Sequence, residues 1–324
     1  CIYILINKII ITYFINNSFF NHSSKKWCKT VKYSLDISYK IKIYNNMNKV
    51  KIILIITVLL LFAGCEKYFF FPKQQLFYMP ETCANSPENI LVETKEGKLL
   101  HSWYFKTKIK NPKGTVFFLH GNSNNISTES VAMMWLVDKG YNVLTFDYRG
   151  YGISQGKPDI KGVLQDGLEY TEAVFKDNKV DKRNMVLYGQ SLGGAVAAHI
   201  ARYSPYADKF KVLVLESSFT SWRSIAKEVA ASNFFTYIWQ YAVTWSIPKE
   251  YSSLDNLKNS KIKNTIIIHS EADKLVKFDN GEALYKTAKE PKMILKDDFS
   301  NHAQIISNPR IRKDFLNALD LYLK

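Results

Sequence analysis

The stretch that decides the fold is LYGQSLGGA, residues 187–195, in which a single serine stands among glycines. The apolar run MVLY leads into it and predicts a buried strand, and the alanine-rich VAAHIA that follows predicts a helix. A strand that turns at once into a helix holds the residue between them in a strained backbone conformation. Gly189 and Gly193 lack the side chains that would make the strand and the helix collide. Ser191 is therefore a candidate nucleophile, and an ordinary glycine-rich turn is the alternative.

Apolar strands alternate with amphipathic helices along the C-terminal part of the chain. The predicted strands cover residues 115–119, 142–147, 184–188, 211–215, 265–269 and 292–296. The predicted helices lie near residues 128–139, 159–178, 192–203, 252–258, 279–289 and 303–323. Four of the strands are nearly continuous Val, Ile, Leu and Phe, which is typical of parallel strands buried on both faces. The alternation predicts an α/β fold, with a mostly parallel central sheet, helices on both of its faces and right-handed crossovers.

Two segments stand apart from this alternation. Residues 89–106 alternate apolar and polar side chains on either side of Glu96-Gly97 and predict a β-hairpin. Residues 219–251 are helical in pattern and rich in aromatic residues, and they lie between two strands. Such an insertion would sit over the carboxyl ends of the strands, where ligands bind in open α/β sheets. We expect one domain over residues 88–324 with a small helical cap that lines an apolar pocket; surface helices with a core of their own are the alternative.

A nucleophilic serine needs a base, and the position of each histidine along the chain selects the candidate. In a fold with a serine on a strand-to-helix turn, the acid follows the nucleophile and the histidine comes last. The six histidines are His22, His101, His120, His199, His269 and His302. Only His302 lies in the loop after the last predicted strand, so it is the expected base, with a free surface histidine as the alternative. His269 ends a strand and is expected to help shape the site.

An orienting acid and an oxyanion hole complete the expected site. The stretch IIIHSEADKLV offers Glu271 and Asp273 as the acid, and Glu216, after VLVL, is a further candidate. The oxyanion hole needs backbone N–H groups directed at the developing negative charge. One is expected from Leu192, the residue after the nucleophile, and the other from Asn122 in LHGNSNN.

These residues, with DYRGYGIS at 147–154, resemble the motifs of the α/β-hydrolase superfamily, and most of all the branch of serine hydrolases that includes eukaryotic protein depalmitoylases. The resemblance covers about residues 88–324. It implies the α/β-hydrolase fold, no metal and no cofactor. The family spacing favours Asp273 as the acid, which gives a triad of Ser191, His302 and Asp273. Ser270 and Asn301 stand where glycine is common, and neither change removes a functional group; the resemblance makes Tyr148 and Arg149 structural.

Charge and cysteine content narrow the range of partners. The formal net charge of +15 would suit a nucleic acid or a membrane. The first 51 residues supply eight of these charges, and no dense basic block follows, so no nucleic-acid partner is expected. The four cysteines, at positions 1, 28, 65 and 83, lack metal-ligand spacing, so no metal site is expected.

Residues 1–46 have an unusual composition. They contain no Gly, Ala, Pro, Arg, Glu or Gln, and they are dominated by residues that AT-rich codons encode. We expect this segment to be upstream DNA translated from a misplaced start, with the true start at Met47. A genuine membrane-active leader is the alternative, because the segment begins with a hydrophobic run.

Residues 47–64 resemble a bacterial lipoprotein signal peptide. Two lysines, Lys49 and Lys51, precede an apolar run that is too short to span a bilayer as a helix, and LFAGC ends in Cys65. The resemblance implies cleavage before Cys65, a lipid on Cys65, and a location in the bacterial cell envelope outside the cytoplasm; Glu66 implies the outer membrane if the cell is Gram-negative. An uncleaved signal anchor is the alternative. Residues 65–87 are then a tether, whose aromatic side chains touch lipid or dock on the domain.

The sequence therefore predicts a lipid-anchored serine hydrolase that cleaves carboxylic esters or thioesters through an acyl-enzyme. Such an enzyme should react with activity-based probes for serine hydrolases. Its expected partners are a small acyl-ester or lipid-like substrate and, through the anchor, a membrane; a monomer is expected. A serine peptidase or an acyltransferase on the same triad is an alternative. Non-catalytic alternatives are a binding lipoprotein with a hydrolase fold and a structural envelope protein.

Overall fold

The computed structural model describes residues 44, 48, 49, 51, 70–77, 86–231, 241, 244 and 247–324. The chain divides into two compact units, residues 1–61 and residues 62–324. Apart from the single positions just given, the predicted extension 1–46 and the predicted signal 47–64 lie outside the described residues, as do Cys65 and much of the predicted cap beyond residue 231. Within the described residues, no helix combines the length and the hydropathy needed to cross a bilayer.

An eight-stranded sheet forms the centre of the second unit. Its strands are β2 (Glu88–Glu93), β3 (Leu99–Phe105), β4 (Gly114–Leu119), β6 (Tyr141–Phe146), β7 (Met185–Gln190), β8 (Phe210–Glu216), β9 (Asn264–Ser270) and β10 (Lys292–Asp297). Their order across the sheet is β10-β9-β8-β7-β4-β6-β3-β2. The hairpin β2–β3 is antiparallel and β3 also pairs antiparallel with β6, whereas all pairs from β6 to β10 are parallel. The predicted hairpin and mostly parallel sheet are confirmed.

Helices cover both faces of this sheet. They are α1 (Ile126–Glu129), α2 (Met134–Asp138), α3 (Ile160–Lys176), α4 (Leu192–Tyr203), α5 (Trp222–Ala231), α6 (Ser253–Lys258), α7 (Phe278–Thr287) and α8 (Pro309–Tyr322). One apolar layer joins the sheet to α3, α4 and α5, and a second joins the opposite face to α2 and α8. Strand alternation divides the side chains between the two layers: Phe117 packs on Tyr170, and the next residue, Phe118, packs on Tyr188.

A buried ion pair fastens α3 to the loop after β6. The Arg149 guanidinium donates hydrogen bonds from Nε and Nη2 to the Asp166 carboxylate at 3.0 and 2.7 Å, and the Arg149 backbone N–H donates to the same group at 2.9 Å. Asp166 is fully buried and Arg149 almost so. This contact gives Arg149 the structural role that the sequence predicts.

Removal of one partner of this pair should be strongly destabilising. We expect Asp166→Ala to lower the free energy of unfolding by about 3–5 kcal/mol, because the guanidinium stays buried without its main counter-charge. Asp208→Ala is the control, since Asp208 pairs with Lys209 on the surface and such pairs contribute about 1 kcal/mol or less. Urea unfolding of both variants measures the difference, and equal losses would contradict the prediction.

The described part of the predicted tether is docked on the domain. Residues 70–77 run along the loop that follows β4, where β1 (Phe71–Pro72) pairs in parallel with β5 (Ser123–Asn124) as a separate two-stranded sheet. Phe70 is buried and its ring lies 5.9 Å from that of Trp222 on α5. The sequence left open whether the tether's aromatic side chains touch lipid or dock on the domain, and Phe70 docks on the domain.

Candidate active site

Ser191 occupies the turn between β7 and α4 in a strained conformation. Its φ of +53° and ψ of −114° lie outside the regions that non-glycine residues ordinarily adopt. Its backbone N–H donates to the carbonyl of Glu216 at 2.9 Å, which ties the turn to the end of β8. A Cβ on Gly193 would collide with the carbonyl oxygens of Leu119 and His120, and one on Gly189 would collide with the backbone of Gly193. The glycines thus meet the steric need for which the sequence predicts them.

Ser191, His302 and Asp273 are linked by hydrogen bonds between their side chains. His302 Nε2 lies 2.9 Å from Ser191 Oγ, and His302 Nδ1 lies 2.8 Å from Asp273 Oδ2. Asp273 and Ser191 are buried, while the His302 side chain remains 18% exposed. The structure therefore brings together all three residues that the sequence predicts, at distances suited to proton transfer from hydroxyl to imidazole.

The Asp273 carboxyl is held in its ionised form. Burial raises its pKa, but the hydrogen bond and charge of His302 and the N–H groups of Val276 and Leu275 outweigh burial, so the pKa lies below its ordinary value. These two N–H groups donate to Oδ1 at 2.9 Å each, which leaves Oδ2 to accept from the imidazole. An ionised carboxylate at Nδ1 keeps that nitrogen protonated and leaves Nε2 free to accept the serine proton.

The two expected oxyanion donors belong to segments that flank Ser191. Leu192 is the first residue of α4, so its N–H belongs to the helix N-terminus, where N–H groups have no acceptor within the helix. Asn122 follows Gly121, and a Cβ placed on Gly121 would lie 3.8 Å from Ser191 Cβ. The carbonyl of Asn122 accepts from the Phe71 N–H at 2.9 Å and from the Tyr151 hydroxyl at 2.8 Å.

Strained backbone is concentrated at this place in the molecule. Non-glycine residues with positive φ among those described are Asn111, Asn124, Asn184, Ser191, Ser217 and Ala303. Four of the six adjoin the site: besides Ser191 itself, Asn124 lies two residues after Asn122, Ser217 follows β8, and Ala303 follows His302. Such strain persists only where the surroundings enforce it, and it clusters at functional sites.

Similarity to known proteins identifies the superfamily. The family model of Hydrolase_4, the serine aminopeptidase S33 family, matches residues 110–264. The chain is 31% identical over 232 residues to the protein YfhR of Salmonella typhi, an alignment that covers 67% of this chain and 76% of that one. The chain belongs to the α/β-hydrolase superfamily. It is also 29% identical over 199 residues to the lysophosphatidylserine lipase ABHD12 of Danio rerio, which covers 59% of this chain and 51% of that protein.

Solved structures agree on the fold of this α/β-hydrolase. The Pyrococcus furiosus esterase Pf2001 superposes with a TM-score of 0.62, over 78% of this chain and all of that one, at 19% identity. At that identity the likeness shows the fold alone. The α/β-hydrolase fold predicted from the sequence is thus confirmed.

Glu216, one of the reserve acids, serves the α/β-hydrolase site in another way. It is fully buried and lies away from His302 Nδ1, which is taken by Asp273. Its Oε2 accepts from the Tyr188 hydroxyl at 2.9 Å and from Gln190 Nε2 at 2.8 Å, and its Oε1 accepts from the Ile306 N–H at 3.1 Å. Burial raises the pKa of this carboxyl, although these hydrogen bonds and the charge of His302 oppose the shift. Glu216 therefore joins the strand before the nucleophile to the segment after the base.

Two side chains that the sequence analysis missed complete that connection. Gln190 Nε2 also donates to the Ala303 carbonyl at 3.1 Å, and the Ser217 hydroxyl accepts from the Ala303 N–H at 3.2 Å. Gln190 stands at a variable position of the G-x-S-x-G motif, so the motif gave no reason to select it. A polar residue on an otherwise apolar buried strand was the available signal.

Loss of Glu216 should loosen the base. We expect Glu216→Ala to lower kcat about tenfold, because His302 loses its fixed position, and to lower the free energy of unfolding by about 3 kcal/mol, because three buried donors lose their acceptor. Glu216→Gln keeps an acceptor for part of the set and should lose less of both. Steady-state kinetics and urea unfolding test this, and an unchanged kcat in Glu216→Ala would contradict it.

The other candidates from the sequence lie elsewhere. Glu271 is exposed and its carboxylate pairs with Lys296 Nζ at 3.1 Å, so it is not the partner of the imidazole. His269 is buried and its Nε2 lies 2.8 Å from the Val276 carbonyl, which shapes the loop that carries Asp273. The expectation that His269 helps to shape the site agrees with this contact.

Proposed function

We propose that this hydrolase cleaves carboxylic esters or thioesters with an apolar acyl group, by way of an acyl-enzyme on Ser191. The observation that carries the proposal is the continuous hydrogen-bonded chain from Ser191 Oγ through His302 to Asp273. A buried serine on a strained turn, a base within 2.9 Å and an acid behind the base are the parts that acyl transfer requires.

The proposed reaction has two halves. In the first, Ser191 Oγ attacks the acyl carbonyl while His302 Nε2 takes the hydroxyl proton, and the N–H groups of Leu192 and Asn122 hold the oxyanion. The tetrahedral intermediate collapses, the bond to the leaving group breaks, and His302 gives its proton to the departing oxygen or sulfur. In the second half, His302 deprotonates a water that attacks the acyl-enzyme, and the acid leaves as Ser191 regains its proton. Asp273 orients the imidazole and stabilises its charged form throughout.

The predicted cap supports an apolar acyl group. Residues 229–248 contain no charged side chain and hold six aromatic residues. The described part of the cap begins with α5, which forms one side of a groove whose other side is the loop after Asp273. Side chains that line this groove are Ser224, Lys227, Glu228, Val229, Ala231, Lys274, Leu275 and Lys277. Val229, Ala231 and Leu275 offer aliphatic contacts to an apolar chain in this groove.

A serine aminopeptidase, the activity in the name of the matching family, is the second candidate. It would need a carboxylate to bind the substrate ammonium group. Glu228 is the one carboxylate among the described residues that line the groove, and three lysines share the groove with it. The positive balance of charge disfavours an ammonium group there, and so supports the ester over the peptide. The lipase named among the relatives also acts on an ester.

We also propose that Cys65 carries the lipid anchor that its signal-like context predicts, which would place the enzyme at a membrane of the cell envelope. Cys65→Ala should move the protein from the membrane fraction to the soluble fraction, and incorporation of labelled fatty acid should be lost. Cys83→Ala is the control, because Cys83 lacks a lipobox before it. Continued lipid labelling of Cys65→Ala would place the anchor elsewhere.

Fluorophosphonate labelling followed by a substrate panel tests the activity. The wild-type chain should label at Ser191, and it should turn over p-nitrophenyl and thio-esters of medium and long acyl chains faster than amino-acid arylamides. Esters that carry a cationic acyl group should be the poorest of the ester set, because of the lysines in the groove. A preference for arylamides would establish the aminopeptidase instead, and absence of labelling in the folded protein would refute both hydrolytic candidates.

A further inference from the structure

Residues 70–77 form a strap along the segment that carries Asn122. The strap's backbone makes hydrogen bonds at both ends and in its middle. Phe71 N–H donates to the Asn122 carbonyl at 2.9 Å, Lys73 N–H donates to the Asn124 carbonyl at 3.1 Å, and Phe77 N–H donates to Ser127 Oγ at 2.9 Å. The carbonyl of Lys73 accepts from the Gly152 N–H at 2.9 Å.

Asn125 is built to hold the strap. Its side chain is completely buried, and its Nδ2 donates to the carbonyls of Lys73 and Gln75, at 2.8 Å each. Its Oδ1 accepts from the Ser127 N–H at 2.9 Å and so caps α1. If the strap left, both donor contacts of a buried amide would be lost, and an unsatisfied buried amide is costly. This cost favours the docked position of the strap.

The segment that the strap touches is fixed by polar and aromatic contacts and not by aliphatic packing, and the strap supplies two of its backbone hydrogen bonds. Residues 120–125, HGNSNN, hold no aliphatic side chain, and Asn124 has a φ of +58°. The Asn122 carbonyl is held by Phe71 N–H and by the Tyr151 hydroxyl. Phe70, at the head of the strap, packs on Trp222 of α5, so the strap also contacts the cap.

We propose that the strap is a positioning element of the oxyanion hole, with Asn125 as the positioning residue that locks it in place. Fixing the Asn122 carbonyl from outside fixes the orientation of the residue whose N–H stabilises the oxyanion. The proposal rests on the proposed function. It makes residues 70–77, a few positions after Cys65, a working part of the active site, although none of the strap's hydrogen bonds described above reaches Ser191 or His302.

Asn125→Asp isolates the effect. The substitution is nearly isosteric and keeps the oxygen that caps α1, but it replaces the donor to the two strap carbonyls by an acceptor. Asn178→Asp is the matched control, because Asn178 is exposed in the turn before β7, at the opposite end of that strand from Ser191. In the full chain, hydrogen exchange of the Phe71, Lys73 and Phe77 amides reports strap docking, while kcat and KM for the best ester report catalysis.

We expect Asn125→Asp to speed exchange of these three amides and to lower kcat about 10- to 100-fold, with KM within about twofold of wild type. That split marks a defect in transition-state stabilisation and not in folding or substrate binding. Faster exchange with an unchanged kcat would overturn the positioning role, and unchanged exchange would overturn the role of Asn125. Ser127→Ala is the milder second variant if Asn125→Asp fails to fold, because it removes the acceptor for Phe77 and one donor to Asn125 Oδ1 but keeps both Asn125 contacts to the strap. Faster exchange of the Phe77 amide with an unchanged kcat would overturn the positioning role.

Failure of the strap proposal can be distinguished from failure of the proposed function. If the wild-type chain hydrolyses no ester, the proposed function fails, and the rate of fluorophosphonate labelling of Ser191 replaces kcat as the measure. A tenfold slower labelling in Asn125→Asp would then still support the strap. Labelling at equal rates in both would overturn it, and a wild type that does not label at all would overturn the strap's role together with the proposed function.

Discussion

Ser191→Ala should lower kcat about 10⁴- to 10⁶-fold while the protein stays folded, because the proposed acyl-enzyme can no longer form. The hydroxyl makes its hydrogen bond to His302, and alanine removes only that oxygen. Turnover of a p-nitrophenyl ester and circular dichroism of the purified variant measure the two halves of the prediction. Retention of more than about one per cent of the wild-type rate would rule out Ser191 as the nucleophile.

Ser218→Ala is the matched control for this experiment. Ser218 is buried after the neighbouring strand β8, and its hydroxyl is bonded to neither His302 nor Asp273. We expect its kcat to stay within about threefold of wild type. Comparable losses of kcat in the two variants would show that removal of any buried hydroxyl near the site lowers kcat, and would contradict the assignment of Ser191 as the nucleophile.

Asp273→Asn should be the second most severe change, with a loss in kcat of about 10³- to 10⁴-fold. An amide in place of the carboxylate no longer stabilises the imidazolium and admits the wrong tautomer, in which Nε2 carries the proton and cannot act as base. Glu271→Gln is the control, because that neighbouring carboxylate pairs with Lys296 on the surface. Its activity should remain within twofold of wild type, and a larger loss in Glu271→Gln than in Asp273→Asn would reverse the assignment of the acid.

The lowered pKa of Asp273 fixes the direction of two pH effects. Since the carboxyl is ionised at a lower pH in the folded chain than in the unfolded chain, its contribution to stability is present above the unfolded-state pKa. That contribution is lost as the pH falls through the lower folded-state value. Because the folded-state pKa of Asp273 is lowered, protonation of this carboxyl should reduce kcat/KM only at a pH below the ordinary range of an aspartate. Acid unfolding of Asp273→Asn against wild type measures the lost contribution.

The order of the candidate residues along the chain was enough to predict much of the site. Ser191 and His302 follow from a strand–turn–helix pattern and from the position of one histidine after the last strand, and both are geometric consequences of a parallel sheet. Asp273 and Glu271 are two residues apart, so the residues alone left both open. The structure distinguishes them by the course of the loop. The N–H groups of Leu275 and Val276 donate to Asp273, whereas Glu271 is exposed to solvent.

The contacts of the strap could not be predicted, for a physical reason. Residues 70–77, FFPKQQLF, show neither helical nor strand periodicity, and on the strap's side all six of the hydrogen bonds described above use backbone groups that every sequence possesses. Asn125 likewise looked like one more polar residue in a loop, because its partners lie about fifty positions earlier in the chain. Sequence patterns report periodic burial, whereas non-periodic segments are placed by individual acceptors and donors.

The order of strands across the sheet has a consequence for the protein during its synthesis. Ser191 follows β7, in the middle of the sheet, whereas Asp273 follows β9 and His302 follows β10, the edge strand. Proteins are made from the N-terminus, so a nascent chain displays the serine long before the residues that would activate it exist. In the proposed mechanism, Ser191 therefore becomes reactive only after the last strand has joined the edge of the sheet, so the order of synthesis delays activation until the domain is complete.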